Sequence, residues 1–95
     1  MTYELTIILR ISDSVETVKD RVNQILQKHE VSVLSEDSWD IKKLAYSIDN
    51  ESEGYYLFMC IESKPSAIDR VKANFKLEND ILRYLFIRFK EKKSA

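Results

Sequence analysis

In the segment Tyr55-Tyr56-Leu57-Phe58-Met59-Cys60-Ile61-Glu62, apolar side chains fall on both parities of an extended chain. A strand with one wet face alternates apolar and polar residues, whereas a strand covered on both faces does not. Tyr55 to Glu62 is therefore expected in the middle of a sheet. Upstream, Asp49-Asn50-Glu51-Ser52-Glu53-Gly54 has turn composition, with Asn50 and Gly54 able to take positive φ. Before that turn, Trp39, Ile41, Lys43 and Ala45 share one parity, and Lys42, Leu44, Tyr46 and Ile48 the other. Val31 to Leu34 is also extended in pattern, and the acidic Ser35–Ser38 stretch interrupts the two runs. The pattern predicts one long strand, bent or bulged. Downstream, Pro65-Ser66 opens a helix, with Ser66 and Asp69 spaced like a capped start and Ile68, Val71 and Phe75 as its inner stripe.

The same logic reaches both ends of the chain. Tyr3, Leu5, Ile7 and Leu9 alternate with Glu4, Thr6, Ile8 and Arg10, giving a strand over Tyr3–Ile11. Ser12-Asp13-Ser14 supplies helix-start chemistry, with Glu16 three residues after Asp13. The helix is expected to reach about His29, with Val15, Val18, Val22, Ile25 and Leu26 forming one apolar stripe. Asn79-Asp80 marks a turn, and Ile81–Phe89 reads as a last strand. The order is βαββαβ. Right-handed crossovers then place two helices on one face of a four-stranded antiparallel sheet, with the first and third strands in the middle. The fold class is α+β, a ferredoxin-like sandwich. Tyr3-x-Leu5-x-Ile7 is echoed by Tyr55-x-Leu57-x-Met59. Residues 1–90 make a single domain, and 91–95 a short basic C-terminal tail.

Composition narrows the chemistry. The chain has 95 residues, 44 % of them hydrophobic and 33 % charged, with a formal net charge of −1. Residues 1–80 carry 10 Lys/Arg and 15 Asp/Glu, a net of −5; residues 81–95 carry 5 Lys/Arg and 1 Glu, a net of +4. A domain with this balance has little electrostatic pull on nucleic acid by itself. One cysteine, Cys60, and one histidine, His29, exclude an intrachain disulfide, a multi-cysteine zinc site and a multi-histidine metal site. His29 falls where the first helix ends, a favourable place for a partly charged imidazole. Cys60 falls in the central strand as a small apolar residue. No run approaches the ~18–20 apolar residues of a membrane span, and no signal peptide is read at the N-terminus. No metal, cofactor, small-molecule substrate or membrane contact is expected.

Three known architectures of this plan serve as comparisons. Acylphosphatase, a small enzyme, uses a glycine-rich loop after its first strand; here that stretch is Arg10-Ile11-Ser12-Asp13-Ser14, with no glycine and an acid in its place. An RNA-recognition motif carries a basic residue, glycine and spaced aromatics on its third strand. This chain has Glu53-Gly54-Tyr55-Tyr56-Leu57-Phe58, a poor match that assigns the aromatics to the core. An ACT-like small-molecule-sensing regulatory module is the alternative function. Such modules have a glycine at the first strand–helix turn, which is absent here.

Lys42-Lys43-Leu44-Ala45-Tyr46-Ser47-Ile48 resembles the signature of the bacterial small-subunit ribosomal protein S-six family, two basic or polar residues followed by Leu-Ala-Tyr-x-Ile. Tyr3-Glu4-Leu5 is similar to that family's opening strand, Gly54-Tyr55-Tyr56 to the start of its third strand, and Asn79-Asp80-Ile81-Leu82-Arg83 to its turn into the last. The likeness covers nearly the whole chain. Asp40 stands where the family usually has glycine, Ser47 where proline is frequent, and Thr2 where many relatives carry Arg or Lys. The resemblance implies a structural constituent of the small ribosomal subunit, cytoplasmic, with no enzymatic activity. It further implies binding to the central domain of small-subunit ribosomal RNA, as a heterodimer with ribosomal protein S-eighteen. The candidate RNA-binding residues are Lys42 and Lys43 on the signature strand, Arg83 and Arg88 on the last strand, Lys90 after it, and Tyr3 and Tyr46 for a ring or hydroxyl.

Overall fold

A computed structural model describes residues 1–11, 15–48 and 50–88. The order is β1 (Thr2–Leu9), α1 (Val15–Lys28), β2 (Ser32–Ile48), β3 (Glu51–Glu62), α2 (Pro65–Lys76) and β4 (Ile81–Arg88). The sheet has four strands in the order β2-β3-β1-β4, every pairing antiparallel. The first and third strands are central, as the alternation of Tyr3–Leu9 and the apolar run of Tyr55–Glu62 predict.

Both helices cover one face. Tyr3, Leu5, Ile7 and Leu9 of β1 and Leu57, Met59 and Ile61 of β3 point into a core closed by Val18, Val22 and Leu26 of α1 and by Ala67, Ile68, Val71 and Phe75 of α2. Phe75 anchors an aromatic cluster, stacked on Phe86 at 6.0 Å and edge-on to Tyr84 at 5.5 Å between centroids. Val15 and Ile25 are only partly buried at the margins of the α1 stripe. Asn74 Nδ2 donates to His29 Nε2, so the lone histidine ties the end of α1 to α2. Arg21 ties α1 to the turn before β4 through Glu78 at 3.2 Å and Asp80 at 2.6 Å.

Four expectations need correction. The turn read over Asp49–Gly54 is much shorter: Glu51–Gly54 belong to β3 and Asn50, with φ 65°, is the positive-φ residue. Gly54 does not have positive φ. It is glycine because an added Cβ would collide with Ile8 Cγ2 and stand 3.4 Å from Leu44 Cδ2. The capped start read at Ser66 is displaced as well. Pro65 is the first helical residue and extended Lys64 (φ −76°, ψ 145°) is the N-cap, with no side-chain cap bond; a proline has no N–H to satisfy there and its φ is already set. The aromatics of β3 divide: Tyr55 packs against the core, whereas Tyr56 and Phe58 have the opposite parity and lie half-buried on the other face. β2 is continuous through the acidic stretch, with register shifts at Val33/Ser35, Ser38/Ile41 and Lys43/Ile48 that supply the expected bulging. The helix start at Ser12–Ser14, residue 49, the end of the last strand at Phe89, Lys90 and the tail 91–95 lie outside the described residues.

Candidate nucleic-acid interface

The face of the sheet turned away from the helices is open. Glu4, Thr6 and Ile8 of β1 occupy it, flanked in register by Cys60, Phe58 and Tyr56 of β3 and by Ile87, Leu85 and Arg83 of β4. Its two ends differ. At the Thr2 end it carries Glu4 and Glu62. At the Ile8 end the β2–β3 ribbon runs past the last paired residue of β1, and Leu44 comes down on Gly54 and is buried. The ribbon thereby reaches across to β4. Arg83 donates to the Tyr46 hydroxyl and its guanidinium lies over the Tyr46 ring, 5.2 Å from the centroid. Cations favour the negative face of an aromatic ring, and a planar guanidinium stacks well there. Lys42 Nζ stands 6.0 Å above the Tyr56 ring. Arg10 closes the same end, donating to Glu51 at 3.0 Å and to the Asn79 carbonyl at 3.3 Å.

Of the residues singled out from sequence, Lys42, Tyr46 and Arg83 are brought together here, all exposed. Tyr46 is 59 % exposed although it is hydrogen-bonded. Lys43 sits opposite Glu53, one residue along from Lys42 and on the other side of the ribbon. Tyr3 and Arg88 are register partners on the helix side, at the far end of the sheet. The Tyr3 ring is in the core at 8 % exposure, and its hydroxyl donates weakly to Met1 Sδ at 3.9 Å. Sequence reading missed Arg10, Glu51 and Tyr56. A single-strand pattern carries no sign that the ribbon tip and the start of β4 meet, because they lie on opposite edges of the sheet.

Among the described residues no group of three or more His, Cys, Asp or Glu is placed to hold a metal ion, and no helix is long and apolar enough to cross a membrane. The family described as Ribosomal protein S6 matches residues 2–88. This chain belongs to that family. Curated relatives agree. The small ribosomal subunit protein bS6 of Bacteroides fragilis is 33 % identical over 89 residues, covering 90 % of this chain and 78 % of the relative. That of Dehalococcoides mccartyi is 29 % identical over 92 residues, covering 94 % and 84 %. Among solved structures, the 30S ribosomal protein S6 of Thermotoga maritima superposes with a TM-score of 0.84 at 18 % identity, over 93 % of this chain and 86 % of that one. The C-terminal domain of the MgtC protein from Mycobacterium tuberculosis reaches 0.62 at 9 % identity, over 99 % and 93 %, a likeness of fold alone. Membership of the S6 family makes the chain a structural protein of the small ribosomal subunit and not an enzyme. It also removes the support for a small-molecule-sensing regulatory module.

Proposed function

We propose that this S6 protein binds the central domain of small-subunit ribosomal RNA jointly with ribosomal protein S-eighteen, and that Lys42, Tyr46 and Arg83 form its main RNA contact. The observation that carries the reading is the Arg83–Tyr46 pair beside Lys42. A guanidinium fixed on an exposed ring and a lysine on the neighbouring ring make a pre-oriented cationic surface. Fixing those side chains beforehand lowers the entropy lost when a phosphate is met. Lys43 and Arg88 are further phosphate contacts on other surfaces, and Lys90 is a third. Tyr3 acts through the core instead. The joint mode follows from charge. At a net charge of −1 the chain has little long-range attraction to a polyanion, and a basic partner supplies it.

The test is fluorescence anisotropy on a fragment of central-domain RNA with S-eighteen present. Replacing Arg83 and Lys42 together by alanine should weaken binding about 10- to 100-fold, since each phosphate contact at moderate salt is commonly worth about a factor of ten or less. Affinity unchanged in the double variant would reject the site. Failure of the unaltered chain to bind with its partner present would reject the joint mode.

A further inference from the structure

A second cationic site lies on the opposite face of the molecule. The C-terminal end of α1 and the N-terminal end of α2 enclose a cavity of about 310 Å³, lined by Lys28, His29, Glu30, Lys64, Ser66 and Arg70 among others. Three cations thus meet one carboxylate. Among the described residues Lys28, Lys64 and Arg70 have no carboxylate ion pair, whereas Arg10, Lys19 and Arg21 are each ion-paired. The walls are fixed. Asn74 holds His29 from α2, and Glu30 at φ 60° turns the chain out of α1 with its amide bonded to the Gln27 carbonyl at 3.0 Å. The first turn of α2 carries no acidic residue and no side-chain cap, so nothing on that wall competes for an anion.

We propose that this cavity binds a backbone phosphate of RNA, giving the chain a further RNA contact remote from Lys42, Tyr46 and Arg83. The proposal rests on the RNA-binding reading above. The lining explains the ligand class. Unpaired cations on long side chains select negative charge. Its one ring, the His29 imidazole, is tied to Asn74, and its one apolar lining residue, Ala67, is too small to make a floor for a base or a compact metabolite. Phosphate contacts of this kind position a protein without reading sequence. Position gives the contact its purpose. Lys64 lies two residues after Glu62, which pairs with Thr2 and Ser32, so the cavity sits at the end of the sheet away from the ribbon tip and on the helix side. In a molecule 45 × 30 × 19 Å in extent, two contacts at opposite ends and on opposite faces hold two separate stretches of RNA at a fixed spacing.

The experiment compares two charge-matched variants in the complex with S-eighteen and central-domain RNA. Lys64→Ala/Arg70→Ala removes two cations from the cavity; Lys72→Ala/Lys76→Ala removes two from the same helix outside it. The first should lower affinity about 10-fold near 0.1 M salt and reduce the slope of log K against log salt by about 1, as loss of one to two phosphate contacts requires. The second should stay within about two-fold, and Glu30→Gln should tighten binding a few-fold. Circular dichroism melts confirm that all variants are folded. Equal losses from both double variants, or no loss from the first, overturn the site. Tight binding of inorganic phosphate by the chain alone, with RNA affinity unchanged in Lys64→Ala/Arg70→Ala, assigns the cavity to a free anion and overturns the RNA role. If the unaltered chain with its partner binds no RNA, the proposed function and this inference fall together.

Discussion

Replacing Gly54 by alanine would drive a methyl group into Ile8 Cγ2, and this neighbour has little freedom to move. Ile8 is β-branched, so its Cγ2 turns only with χ1, and the strand sets χ1. We expect Gly54→Ala to destabilise the fold by about 1–3 kcal/mol in urea titrations, the usual cost of overpacking. Ile8→Ala removes the obstructing methyl. The double variant should therefore be more stable than the sum of the two single losses implies, and strict additivity would show that the contact is not the cause. Phe75 presents the reverse case. It is 1 % exposed and touches both Tyr84 and Phe86. Phe75→Ala should cost about 3–5 kcal/mol in the same titration, because no neighbour can collapse into the volume of a ring. Tyr46→Phe isolates the hydroxyl that accepts from Arg83 while leaving the ring in place. On an exposed pair the stability change should be under about 1 kcal/mol. If Tyr46→Phe instead unfolds the protein, the pair is a structural clamp.

The β2–β3 ribbon is the element that joins the candidate site, and it is also where sequence reading failed most. Alternation reports a strand only when one face is buried and the other wet. Over Tyr3–Leu9 that condition holds and the pattern is plain. Over Glu51–Glu53 it does not, because the ribbon extends past the end of β1 and these residues pair with β2 alone. Polar residues there cost nothing, so a strand looks like a turn. Over the acidic Ser35–Asp37 segment alternation fades for a related reason, although the flanking pattern predicts the long bulged strand there: β2 is an edge strand, and its residues there are exposed. Edge strands tolerate and even favour charge, which blunts pairing with other chains. The helices were legible because 3.6-residue stripes such as Val18, Val22 and Leu26 survive exposure of every other position. The ribbon's weak support has a measurable consequence. Amide hydrogens of Glu51–Glu53 should exchange at least about 100-fold faster than those of Leu57–Ile61, since local opening spans the range from near zero to the global stability. Equal protection would mean that the tip is as firmly held as the core.

At the scale of the whole molecule, charge decides how an S6 protein of this kind can work. Its net charge is −1, and acids stand at both ends of the sheet, with Glu51 and Glu53 in the ribbon tip and Glu4 and Glu62 at the other end of the open face. On the proposed RNA-binding reading, such a surface should meet RNA at a few places and repel it elsewhere. Without a partner to hold RNA against all of the proposed contacts at once, the isolated chain should neutralise only about two or three phosphates at a time. The slope of log K against log salt should then be shallow, about −2, since each contact contributes roughly −0.7 to −0.9. Binding to central-domain RNA without the partner should accordingly be weak, with a dissociation constant in the non-specific range of about 10⁻⁴–10⁻⁶ M at physiological salt. Adding S-eighteen should steepen the slope and tighten binding by orders of magnitude, because the partner contributes its own cations and the two proteins share the cost of immobilising one RNA. A filter-binding series across salt concentrations, with and without the partner, separates the alternatives. A steep slope and nanomolar affinity for the chain alone would mean that its few clustered cations suffice, and the cooperative account would fail. An unchanged slope on adding S-eighteen would mean that the partner acts only through protein contacts and brings no phosphate neutralisation of its own.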